Sequence, residues 1–257
     1  NLVVNLEGSA YSILNGFTST SSGIAEGYPF GVLRSGVYER DASGDYVTNS
    51  LGFPNADPEK LVGAGDPNAD YRAGFGINVY YKNLSLTSVI ETSQGNDVWN
   101  GTYGVLHYFG IHPNTANKTV NDTGNTINNA AGTEIQAGET FRGNLEDFGA
   151  GPVAIDSEWW TTNGGGFGDV GEPFIMDGSW LKMREVSLTY NFTQPFVENL
   201  GLSNLTLSVS GRNLFLWSAI EGFDPENNLT GASRGRGLEY FSNPGTSSFL
   251  STLRLSF

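Results

Sequence analysis

Phe249-Leu-Ser-Thr-Leu-Arg-Leu-Ser-Phe257, the last nine residues of the chain, decide how the fold is read. Extended backbone turns successive side chains to opposite faces. Phe249, Ser251, Leu253, Leu255 and Phe257 therefore share one face, and Leu250, Thr252, Arg254 and Ser256 share the other. The first face is mostly apolar, the second mostly polar, and the segment stops on an aromatic ring. A soluble sandwich tolerates such alternation, but its terminal strand usually runs on into a polar tail. The wall of a membrane β-barrel requires the pattern, because lipid lies outside and a wet lumen inside.

The rest of the composition agrees. The 257 residues are 38% hydrophobic, 12% aromatic and only 16% charged, with 35 Gly. Ordinary domains have about 25% charged residues and about 7% Gly. Such a mixture suits strands, turns and polar loops, and argues against a helical enzyme. Cysteine is absent, which removes disulfides, thiolate metal sites and cysteine nucleophiles together. No run reaches the roughly 18 apolar residues of a spanning helix, although barrel strands carry a much weaker signal. Asn1-Leu-Val-Val-Asn-Leu-Glu7 lacks the basic start of a signal peptide and reads as the middle of a strand.

Period-two alternation predicts six strands: 2–14, 71–81, 84–98, 180–192, 205–217 and 249–257. Lys82-Asn83 is a tight turn, and Gln194-Pro-Phe-Val-Glu-Asn-Leu-Gly-Leu202 a short helix with Pro near its start and Gly201 at its end. The other connections, 15–69, 99–179 and 217–246, are long and read as structureless loops. In an up-and-down arrangement all the short links fall on one rim and all the long ones on the other, as in outer-membrane barrels. The long connections carry seven acids against three bases, ten against two and four against two, so they hold the entire net charge of −14. An acidic rim excludes nucleic acid as a partner. Six strands cannot close a membrane barrel, whose smallest versions have about eight, so earlier strands are expected before residue 1.

Several motifs recur in one order: Ser179-Trp-Leu-Lys-Met-Arg-Glu-Val-Ser-Leu-Thr-Tyr190, Pro195 with Gly201-Leu202, Val209-Ser-Gly-Arg-Asn-Leu-Phe215, Gly222-Phe-Asp-Pro-Glu226 and the Phe-terminated strand. Upstream stand Gly27-Tyr-Pro-Phe-Gly31, Gly36-Val-Tyr38, Gly65-Asp-Pro-Asn-Ala-Asp-Tyr71 and Tyr81-Lys-Asn-Leu-Ser-Leu86. Together they cover about half of the chain and resemble the C-terminal end of SusC/RagA-type TonB-dependent transporters. The resemblance implies that residues 1–257 are the C-terminal part of an all-β, antiparallel transmembrane barrel of 22 strands, with long extracellular loops. It further implies the outer membrane of a Gram-negative bacterium, import of oligosaccharides or peptides, a SusD-like surface lipoprotein as lid and a TonB complex reached through an N-terminal part. Phe257 would be the signal read by the barrel-assembly machinery. A second reading, from the residues alone, is a soluble secreted β-sandwich that binds glycans; a weaker third is a secreted glycosidase using loop carboxylates.

Chemistry-bearing motifs are sparse. Gly166-Phe-Gly168-Asp-Val-Gly171 matches a dinucleotide pattern but runs into Glu172-Pro173 instead of a helix, so it reads as a glycine loop. Asp66, Asn68 and Asp70 begin like a calcium loop, yet Tyr71 and Ile77 stand where Gly and Glu are needed, and an Asx turn is expected. His107 and His112 have no third ligand. No nucleophile elbow exists, so neither catalysis nor a cofactor is expected. Asp156-Ser-Glu-Trp-Trp160 is the candidate contact site: Asp156 and Glu158 for hydroxyls, Trp159 and Trp160 for apolar sugar faces, unless the two indoles pack the loop against its neighbours or the lid.

Overall fold

The computed structural model of the chain describes residues 1–162, 164–220, 222–229, 231 and 235–257. They form two compact units: residues 69–96, 178–227 and 243–257 make one, and residues 1–68, 97–177 and 228–242 the other.

The first unit is a five-stranded antiparallel sheet in the order Ser248–Ser256, Asn204–Ser218, Trp180–Asn191, Leu84–Gln94, Tyr71–Tyr81. Its register explains the alternation. Leu253, Leu207, Tyr190, Leu84 and Tyr81 lie in one cross-strand row, and Thr252, Ser208, Thr189, Ser85 and Tyr80 in the next. Ser251, Val209, Leu188, Leu86 and Val79 follow, so apolar and polar rows succeed each other on opposite faces. Arg254 shares a row with Thr206 and Asn191 on the polar face, whose hydroxyl and amide are bonded at 2.8 Å. The apolar face is uncovered: Phe249 is 77% exposed, Phe75 62%, Leu253 59% and Trp217 50%. Water would not tolerate so large a continuous apolar face; hydrocarbon would.

Tyr81 and Tyr190 stand at the short-turn end of this face and Phe215 and Trp217 at the other, where outer-membrane barrels carry girdles of aromatic residues. Tyr80 falls in the polar row, opposite Ser85. Lys82 turns the hairpin at a φ of 52°, and the short helix Gln194–Asn199 joins its two strands with Pro195 in the first turn. Arg184 is an extra residue opposite the Val89–Ile90 step. Asn213 and Leu214 stand opposite it on the other side.

On the polar face, at the end opposite the short turns, a charged network forms. Lys182, only 4% exposed, donates to both Asp224 oxygens at 3.1 and 3.0 Å and to Glu226 at 2.5 Å. Arg184 donates to Glu226 through both terminal nitrogens, and its Nε reaches Glu91 at 2.6 Å. Trp180 lies beneath both cations, 5.7 and 5.1 Å from its ring centroid. Two of the sequence motifs thus exist for each other: Gly222-Phe-Asp-Pro-Glu226 supplies the acids and Ser179-Trp-Leu-Lys-Met-Arg184 the bases.

The second unit corrects the expectation of structureless connections. A four-stranded antiparallel sheet runs Ser12–Gly16, Thr20–Ile24, Val32–Ser35, Leu61–Gly65. A three-stranded sheet joins Ile175–Asp177, Asp97–Asn100 and Leu238–Glu239, the last pair parallel. Short hairpins and the helix Gly101–Tyr108, capped by Asn100 on the Tyr103 amide at 2.9 Å, complete it. Three buried clusters hold it together, centred on Trp159 with Phe53, on Trp99 with Phe174, and on Ile127 with Ile135. Residues 2–14 are not a strand of the five-stranded sheet. Gly8, at a φ of +82°, breaks the alternation, and only Ser12–Gly16 is extended as a strand, in the four-stranded sheet. The third predicted strand likewise ends at Gln94; Gly95 turns the chain and Val98 belongs to a different sheet.

Candidate functional site

The second unit carries 20 acids and 7 bases, the sheet unit 7 and 6. Nearly all the net negative charge therefore sits in one folded body. That body holds a cavity of about 510 Å³, within the range of small-ligand sites. Its floor is aromatic. Tyr38, Tyr46, Phe148 and Trp159 close a ring of contacts with centroids 5.7, 5.8, 5.6 and 6.1 Å apart, and Trp160 and Ile155 extend the lining. Asn114, Asn144, Glu146 and Glu172 supply the polar wall.

Most of that wall is already engaged. Glu172 accepts from Arg40 at 2.6 and 3.2 Å and from the Tyr38 amide at 2.9 Å. Burial above all, with Tyr46 and Glu172 nearby, raises the Tyr38 phenol well beyond its ordinary value, so the ring stays neutral. Asn144 donates to the Asn114 carbonyl at 3.1 Å and accepts from Asn117 at 2.8 Å. The Asn114 side-chain oxygen lies 2.6 Å from His112 Nδ1. The exposed Glu146 carboxylate has no partner among the described residues.

The structure divides the four residues singled out from the sequence. Asp156 caps the helix Ser157–Trp160, accepting from the Glu158 and Trp159 amides at 2.9 and 3.4 Å and from Asn129 at 2.9 Å. Trp159 is 5% exposed, packed among Tyr38, Phe53 and Phe148. Gly164 must be glycine because a Cβ there would fall on the Trp159 indole nitrogen. Glu158 is exposed at the start of the same turn. Only Trp160 lines the cavity half-buried, its ring 4.4 Å from His107. Tyr38, Tyr46, Glu146, Phe148 and Glu172 were not legible as a set, since they come from three distant segments. Gly36-Val-Tyr38 and Glu172-Pro173 were the nearest signals.

The glycine pattern at 166–171 serves packing: a Cβ on Gly166 would overlap the backbone of Gly104 in the helix. Asp66 accepts from the Asn68 amide at 2.9 Å, the expected Asx turn. The His107 and His112 rings stack with centroids 4.2 Å apart. His107 Nδ1 bonds to the Tyr103 carbonyl at 2.8 Å, and burial lowers its pKa, so it is the neutral tautomer with Nδ1 protonated. Among the described residues its buried Nε2 has no partner. Among the described residues no three His, Asp or Glu side chains converge as metal ligands.

An open antiparallel sheet with an uncovered apolar face, a polar face and short turns at one end is a stretch of transmembrane β-barrel wall. In sequence and in fold the chain resembles SusC/RagA-type TonB-dependent outer-membrane transporters. TonB-dependent receptor P3 of Formosa agariphila is 25% identical over 198 residues, 75% of this chain and 17% of that protein. TonB-dependent receptor P26 of the same organism is 24% identical over 196 residues, 76% of the chain and 16% of its own length. The chain thus spans about a sixth of the curated relatives it matches. Among solved structures, the RagAB peptide importer in its closed-closed state superposes with a TM-score of 0.58 at 16% identity, over 97% of this chain and 25% of that one. Its open-open state gives 0.55, also at 16% identity, over 100% and 25%. No family model matches.

Proposed function

We propose that residues 1–257 are the C-terminal part of the barrel of an outer-membrane importer of the SusC type, which takes up oligosaccharides or peptides beneath a SusD-like lipoprotein lid with energy relayed by TonB. The observation that carries this reading is the pairing of an uncovered apolar sheet face with connections that leave the sheet's other end and fold into an acidic, aromatic body. The first feature suits lipid; the second suits a surface that meets lid and cargo, with Trp160 and Glu158 available and Trp159 and Asp156 supporting them. A soluble sandwich would need a second sheet over Leu253, Val209, Leu188 and Val79, and these side chains are 59, 49, 45 and 52% exposed. Membrane fractionation of the full-length gene product tests the proposal. It should sediment with the outer membrane, co-purify with a surface lipoprotein, and take up labelled cargo only in cells with an intact TonB complex. Recovery as a soluble protein without detergent would instead support the glycan-binding sandwich.

A further inference from the structure

The cavity over Tyr38, Tyr46, Phe148 and Trp160 sets a carboxylate, Glu146, beside aromatic rings. Glu172 is neutralised by Arg40, and both side-chain functions of Asn144 are taken up by hydrogen bonds. Among the described residues neither Glu146 oxygen has a partner, and no Lys or Arg lines the cavity. Tyr46 is 37% exposed, while Phe148 and Trp160 are half-buried, so ring surface reaches the opening. A neutral sugar would ask for several free donors and acceptors, and this wall has few left. A cation asks for an aromatic face and one carboxylate. The same rings already accept one: the Arg40 guanidinium lies 4.7 Å from the Tyr46 centroid. The surrounding unit, at 20 acids to 7 bases, would draw cations toward it.

We infer that this cavity binds the ammonium or guanidinium side chain of a basic peptide, with Glu146 as counter-ion and Tyr46, Phe148 and Trp160 as its aromatic contacts. The inference rests on the importer reading and narrows its cargo to peptides carrying Lys or Arg.

The test uses the full-length transporter, purified in detergent, with tryptophan fluorescence and calorimetry as readouts. The probes are Ala-Lys-Ala, its norleucine isostere Ala-Nle-Ala, and cellotriose. Ala-Lys-Ala should bind at least about tenfold tighter than Ala-Nle-Ala, and the preference should shrink at high salt. Glu146→Gln should abolish the preference while leaving the protein in the outer membrane, and Trp160→Ala should weaken Ala-Lys-Ala without affecting Glu172. Equal affinity for the Lys and norleucine peptides would overturn the inference. So would a Glu146→Gln variant that retains the preference, or tight cellotriose binding that the substitution leaves alone. The importer reading fails by a different result, absence from the outer membrane or no TonB-dependent uptake, which the fractionation assay reads separately.

Discussion

Replacing Lys182 with Met keeps the aliphatic stem in place and removes the ammonium. In the folded chain that ammonium is the counter-charge of Asp224, which is only 8% exposed and bonded to it through both oxygens. Glu226 still has Arg184, so the loss concentrates on Asp224, whose other contact is the Glu226 amide at 3.1 Å. Stranding one partner of a buried pair costs about 3–5 kcal/mol. The cost should appear as local opening of residues 222–227, because these are joined to the sheet largely by the ions. At about 1.4 kcal/mol per decade, hydrogen exchange there should accelerate roughly 10²-fold to more than 10³-fold in the full-length protein, while the Leu84–Gln94 strand is unaffected. Lys182→Met combined with Asp224→Leu should regain most of the protection, since a pair exchanged for apolar groups is often neutral. Unchanged exchange in the single variant, or no recovery in the double one, would refute the clamp.

Other outcomes follow from the same structure. Burial would raise the Glu226 carboxyl, but the bonds from Arg184 and Lys182 outweigh it and hold the group below 4.5. Its stabilisation is therefore complete above the ordinary carboxylate pKa and disappears as pH falls through the depressed one, so exchange protection at 222–227 should be flat down to about pH 5 and decline below about pH 4. Leu188→Arg, in a central row of the apolar face, should cost roughly 2–4 kcal/mol and reduce the amount of protein in the outer membrane, whereas Ser187→Arg on the polar face should leave it intact. Gly164→Ala should displace the Trp159 indole, cost about 1–3 kcal/mol in the acidic unit and change its tryptophan emission. Phe257→Ala in the full-length protein should slow insertion while the connections fold unchanged; normal surface levels would show that Phe257 is no assembly signal.

The barrel wall was largely readable because its strands are nine to fifteen residues long, enough for alternation to show on either side of the bulge at Arg184. Leu2, Val4 and Leu6 alternate as well, but the pattern is too short to commit the backbone beyond Gly8. The acidic unit escaped for the opposite reason. Its strands are two to five residues long, such as Val32–Ser35 and Pro152–Ile155, so no period can accumulate and their buried residues look like scattered apolar letters in a loop. Its helix Gly101–Tyr108 contains two glycines and several aromatics, poor formers that depend on the Asn100 cap and on packing. Trp159 and Trp160 were read as one patch. In a helical turn, neighbours point about 100° apart, so one indole enters the core and the other meets the cavity.

The extra residue at Arg184 also governs how this wall can vary in length. Below it Val186, Leu188 and Tyr190 face lipid; above it the same parity, Lys182 and Trp180, faces the polar side. Taking Arg184 into regular pairing would rotate Trp180 through Met183 by one step and present a lysine to the membrane, whereas deleting it would set Met183 directly after Glu185, opposite Ile90, and leave Lys182 on the polar side. The neighbouring strand carries two additional residues at the same level, Asn213 and Leu214, and an even number leaves its faces where they were. Strand parity thus works as an error check. A relative that lacks one residue here must lack the bulge as well, and an alignment that places an odd gap elsewhere in the strand with no change of bulge has misplaced it.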